Sequence, residues 1–161
     1  MEKFEHYDSK IDNISQILWS KFHDEWRKSM AQADWTYASR IEKVLDENWI
    51  QQHNWKTEVD IVNTEFEDLP SNRKYENLEA AKVAISLVSE KVLHWEEINS
   101  ESLEEMAEIV HNKWLERNWM EWSFNFQRVS YDQLSEEEKA KDRNQLLQAI
   151  EIVKEYLNSE K

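Results

Sequence analysis

The chain has no glycine in any of its 161 residues and only one proline. Average usage is about 7 % and 5 %. Tight two-residue hairpins need positive φ, which glycine adopts without steric cost, so a chain lacking it is ill suited to an all-β fold. Glutamate, lysine, alanine, leucine and glutamine, all good helix formers, are plentiful instead. A mostly α fold with short extended segments between helices is predicted. Nine Trp, five Tyr and five Phe supply apolar area for a compact core despite 34 % charged residues. The length suits one domain, or two small halves that share a core.

With no cysteine, disulfides and thiolate metal sites are excluded. No apolar run reaches the ~18 residues of a membrane span, and MEKFEHYDSK at the start has no signal-peptide character. A soluble cytoplasmic protein is expected. The net charge of −14 repels nucleic-acid phosphates and anionic membranes, so neither polymeric nucleic acid nor membrane is an expected partner. The acidic residues are scattered, which fits plain solubility. They also fit a surface that imitates nucleic acid or meets a basic protein.

Apolar spacing places the helices. Residues 1–8 read as a frayed start. A helix follows from Ile11 on Ile14, Ile17/Leu18, Phe22, Trp26 and Met30, capped by Asp12 or Asn13. Residues 34–40 form an aromatic turn, and a second helix runs through Ile41, Val44, Leu45, Trp49 and Gln52. Residues 54–65 are rich in Val and Ile and suit an extended piece. A helix on Leu78, Ala81, Ile85 and Val88 comes next. Residues 89–100 read as a connector in which His94 and Trp95 are candidates to pack on the core. Ser102 with Glu105 offers a capping box for a helix on Met106, Ile109, Val110 and Trp114. A second aromatic turn spans 119–128. Ser135 with Glu138 then opens a last helix on Leu146, Leu147, Ile150, Val153 and Leu157.

The two halves of this list repeat one another. His23 and Trp26 form H-x-x-W, and so do His111 and Trp114. Trp35-Thr36-Tyr37 with Arg40 answers Trp122-Ser123-Phe124 with Arg128. Phe66-x-x-Leu69 answers Tyr131-x-x-Leu134, and each opens a helix. The first copy is about two dozen residues longer in the middle, leaving room for the helix near Trp49. A gapless register pairing Trp49 with Trp114 loses the histidine and W-x-aromatic matches. The expected organisation is two related helical halves, residues 9–90 and 100–158, packed with pseudo-twofold symmetry.

The second half resembles the ryanodine-receptor repeat (RyR) domain, through MAEIVHNKW (106–114), the W-x-aromatic at 122–124 and YDQLSEEEKAKDRN (131–144). Lys139, Asp142, Arg143 and Asn144 are its most specific part. The first half resembles it more weakly, through His23, Trp26, Trp35, Tyr37, Arg40 and the FEDLP to Asn77 stretch. The glycines that usually follow the W-x-Tyr are absent, as is the Thr-His-Pro before the aromatic. The resemblance implies tandem helical repeats and a ligand-sensing or interaction role, in some members linked to bacterial signalling and anti-phage systems. It implies no catalysis.

The residues themselves give little sign of an enzyme. Glu108 and His111 form E-x-x-H, but a di-metal carboxylate site needs a second such pair, and Ser20 stands where its glutamate would be. No metal or cofactor is therefore expected. G-x-S-x-G elbows and P-loops need glycine. The H-x-x-W pairs suit core histidines bonded to backbone carbonyls, or the wall of a pocket. Asp142 and Arg143 suit ion pairs bridging the halves, or ligand contacts.

Trp35, Trp55, Trp119 and Trp122 lie outside the apolar stripes, near arginines. Aromatic rings that stack a base, beside a guanidinium that grips phosphate, are what a small nucleotide requires. The expected function is a non-enzymatic binding module for a nucleotide-like signalling ligand, acting as sensor or sequestering sponge. Its ligand residues would be Trp122, Phe124, Arg128, Tyr131, Arg143 and Asn144, with Trp35, Tyr37, Arg40 and Phe66 as first-copy equivalents. The alternative is an acidic protein-interaction module or nucleic-acid mimic; a protein partner or homo-oligomer is open in either case.

Overall fold

A computed structural model describes residues 2–29, 38–118 and 128–159, with side chains described from Ser9 to Lys28 in the first stretch. The fold is mostly helical. Among the described residues the elements run α1 (Glu2–Ser29), β1 (Ile41–Lys43), α2 (Glu47–Gln52), β2 (Glu58–Asp60), a 3-10 turn (Phe66–Asp68), α3 (Ser71–Leu93), α4 (Ser100–Arg117), a second 3-10 turn (Tyr131–Gln133) and α5 (Glu136–Ser159). The chain divides into two compact units, residues 16–79 and residues 1–15 with 80–161.

In the unit of residues 16–79, Val44, Trp49, Val59, Ile61, Val62, Phe66 and Leu69 form a buried cluster against which Trp19, Trp26 and Ile50 pack. β1 and β2 pair antiparallel, with Ile41 opposite Asp60 and Lys43 opposite Glu58. This corrects the expected helix through Ile41, Val44 and Leu45. Three apolar residues at i, i+3 and i+4 cannot by themselves separate a helix from a strand. Here only Val44 is buried, while Ile41 and Leu45 are exposed. The helix starts later, at Glu47. Asp46 caps it by accepting from the Trp49 N–H, and its other oxygen accepts from the Ser71 N–H and hydroxyl at the start of α3. One carboxylate thus holds two helix starts, and the Ser71 hydroxyl keeps it below the usual carboxylate range.

In the other unit α4 packs against α5. Met106, Ala107 and Val110 of α4 are buried, as are Leu146, Ala149, Ile152 and Val153 of α5, in the 3.6-residue rhythm of one apolar face. α4 begins three residues before the expected Ser102. Asn99 is its cap, and Asn99 and Ser102 satisfy each other's backbone N–H groups in a capping box. Ser135 does cap α5, accepting from the Glu138 N–H.

Two expected boundaries fall elsewhere. α1 runs back to Glu2, because extending a nucleated helix through Glu- and Lys-rich sequence adds a hydrogen bond per residue at little cost. α3 continues to Leu93 through the expected connector. The aromatic turns lie largely outside the described residues.

Without glycine, left-handed backbone falls to other residues: Asn54 (φ 55°), Trp55 (φ 62°) and Trp95 (φ 57°). The end of α3 shows why one is needed. The Glu96 N–H reaches the Lys91 carbonyl and the Trp95 N–H reaches the Val92 carbonyl. That is a Schellman cap, whose left-handed position glycine usually occupies. Trp95→Gly is expected to stabilise the fold by about 0.5–1 kcal/mol, since it relieves that backbone and removes a ring with no burial to lose. Urea unfolding of the two proteins measures it.

Candidate functional site

Each unit contains a buried histidine on a helix, a tryptophan one turn later, and an aromatic that opens a 3-10 turn. In residues 16–79, the His23 Nε2–H donates to the Thr64 carbonyl at 2.8 Å. The ring lies 5.9 Å from Trp26 at an interplanar angle of 29°, and 6.2 Å from Phe66 at 55°. In the other unit, the His111 Nε2–H donates to the Val129 carbonyl at 2.7 Å. Its ring lies 6.1 Å from Trp114 at 18°, and 6.2 Å from Tyr131 at 55°. A carbonyl only accepts, so in both cases Nε2 carries the proton.

The backbone repeats as well. Glu65 (φ −63°, ψ 152°) and Ser130 (φ −60°, ψ 154°) precede the two 3-10 turns. Leu69 (φ −69°, ψ 149°) and Leu134 (φ −67°, ψ 149°) end them. Counting on from Phe66 and Tyr131, buried Ala81, Ala84 and Val88 fall at the same steps as buried Leu146, Ala149 and Val153.

The two sites differ in charge. Around His111 the Tyr131 hydroxyl donates to Glu104 at 2.8 Å, and Arg143 pairs with Glu104 at 2.7 Å and Glu136 at 3.0 Å. Burial and the Glu104 carboxylate raise the Tyr131 phenol well above its ordinary value. The Arg143 and Tyr131 hydrogen bonds hold Glu104 below the usual carboxylate range. Asp142 lies 3.6 Å from His111 Nδ1. Burial, reinforced by the charge of Glu138, pushes its carboxyl up to about 7. Around His23 the corresponding places hold Phe66, which has no hydroxyl, and Asn77 in place of Asp142. Here Arg27 joins the frame, donating Nε–H to the Val62 carbonyl at 2.7 Å and pairing with Glu65 at 3.0 Å. Burial, with the nearby Arg27 charge, lowers the His23 pKa.

Of the sequence-predicted ligand residues, Trp35, Tyr37, Trp122 and Phe124 lie outside the described residues. Tyr131 and Phe66 are buried in their units, and Asn144 is exposed. The ion pairs of Arg143 reach α4 and the start of its own helix, so it bridges elements within one unit. Arg40 pairs with Glu42 at 3.3 Å and sits 6.0 Å from the Trp26 ring centre. Arg128 donates to the Asn118 carbonyl at 2.8 Å. Arg40 and Arg128 each follow their histidine by 17 residues in the sequence, but the contacts they make differ.

Glu104 is the residue that sequence reasoning missed. It sits among many surface glutamates, and nothing local marks it as the partner of Tyr131 and Arg143. Trp95 corrects an expectation: it is 95 % exposed and does not pack on the core. Among the described residues no three His, Asp or Glu side chains gather to hold a metal ion. None of the described helices is long and apolar enough to cross a membrane. No family model, no curated protein and no solved structure matches the chain.

The two buried groups respond to pH in opposite senses. The native state keeps the Asp142 proton that the unfolded chain releases near its ordinary value of 3.8, so stability falls as pH rises from there to about 7, then levels off. Asp142→Asn is expected to stabilise by on the order of 2 kcal/mol near pH 8 and to leave stability near pH 4 unchanged. The native state sheds the His23 proton that the unfolded chain holds, so this contribution is lost as pH falls through 6.5 and below. His23→Gln flattens the curve on that acid side. Thermal melts of both variants across this range check each sign.

Proposed function

We propose that the chain is a non-enzymatic binding module made of two copies of one RyR-like helical unit, with a small nucleotide-like signalling molecule as its ligand. The observation that carries the reading is the recurrence of the same frame at His23 and His111, with an arginine, Arg40 or Arg128, 17 residues after each histidine in the sequence. The duplicated geometry supports descent of the two units from one, and pseudo-twofold packing is part of that reading. A guanidinium braced beside aromatic residues suits a flat anionic ligand, and one small enough to enter a local cleft escapes the repulsion that a polymer meets. The activity would be sensing through a partner or sequestration of the signal, as in conflict between phage and bacterium. A cytoplasmic setting goes with that reading.

The test is a thermal-shift screen against mono-, di- and cyclic nucleotides. A ligand at 100 times its Kd adds about 2.7 kcal/mol of stability, a shift of several degrees. Arg128→Ala is expected to weaken that ligand about 10- to 100-fold, the worth of one charge-assisted hydrogen bond. Arg143→Ala leaves affinity within a few fold and lowers stability by about 1 kcal/mol, since its partners are partly exposed. A flat response to the whole panel would sink the nucleotide reading.

A second reading, an acidic module that engages a basic protein, is favoured by the net charge of −14. It is separated from the first by steep salt dependence and by indifference to nucleotides.

A further inference from the structure

The corner between α3 and α4 exposes an unbroken run, Leu93, His94, Trp95, Glu96 and Glu97. Trp95 is 95 % exposed and Leu93 58 %, while Val88 and Met106 to either side are buried. The ring is held out by the helix end itself. Two backbone hydrogen bonds fix the Schellman turn, and Lys91 pairs with Glu96 across it. Glycine would serve this turn better, and the ring is not buried within the unit, so neither backbone geometry nor core packing accounts for tryptophan here.

The surroundings say what kind of partner fits. Glu90, Glu96, Glu97, Glu101 and Glu105 are exposed on or beside the corner, and Lys91 is the one lysine or arginine within residues 90–105. Lys91 lies within the field of Glu90, Glu96 and Glu105 together, which places those carboxylates around one spot. A second copy of this acidic chain, a nucleic acid or an anionic membrane would be repelled there. A lysine or arginine side chain gains both from the carboxylates and from the face of the indole.

We propose that the Leu93–Trp95 corner is a docking surface for a basic segment of a partner protein, with Trp95 as its aromatic anchor and the flanking glutamates as its charge complement. This names the contact surface of the acidic-module reading and rests on it.

The test titrates the full chain with a lysine- and arginine-rich peptide at low and high salt, following Trp fluorescence and heat. Three proteins are compared: the unchanged chain, Trp95→Gly and Trp55→Ala. None of these substitutions alters net charge, so attraction between a polycation and an acidic surface stays constant across the set. Trp95→Gly also suits the local backbone, so loss of binding cannot be put down to misfolding. The proposal expects Trp95→Gly to weaken binding about tenfold or more. Trp55→Ala, which removes another exposed indole, should leave binding unchanged. Equal affinities for all three proteins would overturn the proposal while leaving an acidic module in place. Absence of binding by the unchanged chain would overturn both.

Discussion

A buried imidazole that donates Nε2–H to a backbone carbonyl orders each unit. The acceptor lies two residues before the aromatic of a 3-10 turn, Thr64 before Phe66 and Val129 before Tyr131. That bond fixes where the chain returns to the helix, which places the aromatic against the same imidazole and sets the start of the next helix. Removing the donor would leave a carbonyl unsatisfied at a buried spot, a loss that costs more than the bond's own net worth. The ring therefore acts as a strut, and its tryptophan neighbour one turn on covers its other side.

The same strut supports different chemistry in the two units. Around His111, a phenol, two glutamates and an arginine form a connected network, with Asp142 beside the imidazole. Around His23 the network is replaced by a phenylalanine, an asparagine and an arginine that caps the Val62 carbonyl. The buried Asp142 carboxyl costs desolvation that a neutral side chain at that place avoids. The elevated Asp142 carboxyl is the sign of that cost. The charged groups around the two imidazoles differ, while the histidine–carbonyl geometry is the same in both.

The absence of glycine shapes the corners. Every turn that needs left-handed backbone must use a residue with a Cβ, and the chain places Asn54, Trp55 and Trp95 there. Asparagine tolerates that region through its short polar side chain. Tryptophan has no such excuse, and at Trp95 it gains nothing from burial. Trp55 and Trp95 both combine a left-handed backbone with exposure, and Trp95 is the more fully exposed of the two.

Much of this was legible in the sequence because its signals were periodic or paired. The helices through Phe22 and Trp26, through Ala81 and Val88, and through Leu146 and Val153 follow from apolar spacing, and the two H-x-x-W pairs mark the two histidines that bond to backbone carbonyls. β1 at Ile41–Lys43 reads as helix in the sequence because three apolar residues, Ile41, Val44 and Leu45, cannot distinguish helical from extended spacing. Glu104 was invisible because its partners lie 27 and 39 residues away. Trp95 reads as a core candidate in the sequence because hydrophobicity, not backbone geometry, is what sequence displays.

The most direct measurement is long-range proton–nitrogen correlation NMR of the five histidine side chains, which reports which ring nitrogen carries the proton. The account predicts that His23 and His111 both show protonated Nε2, with slow solvent exchange. A proton on Nδ1 alone at either ring, or fast exchange at Nε2, would contradict the shared strut on which both units are built.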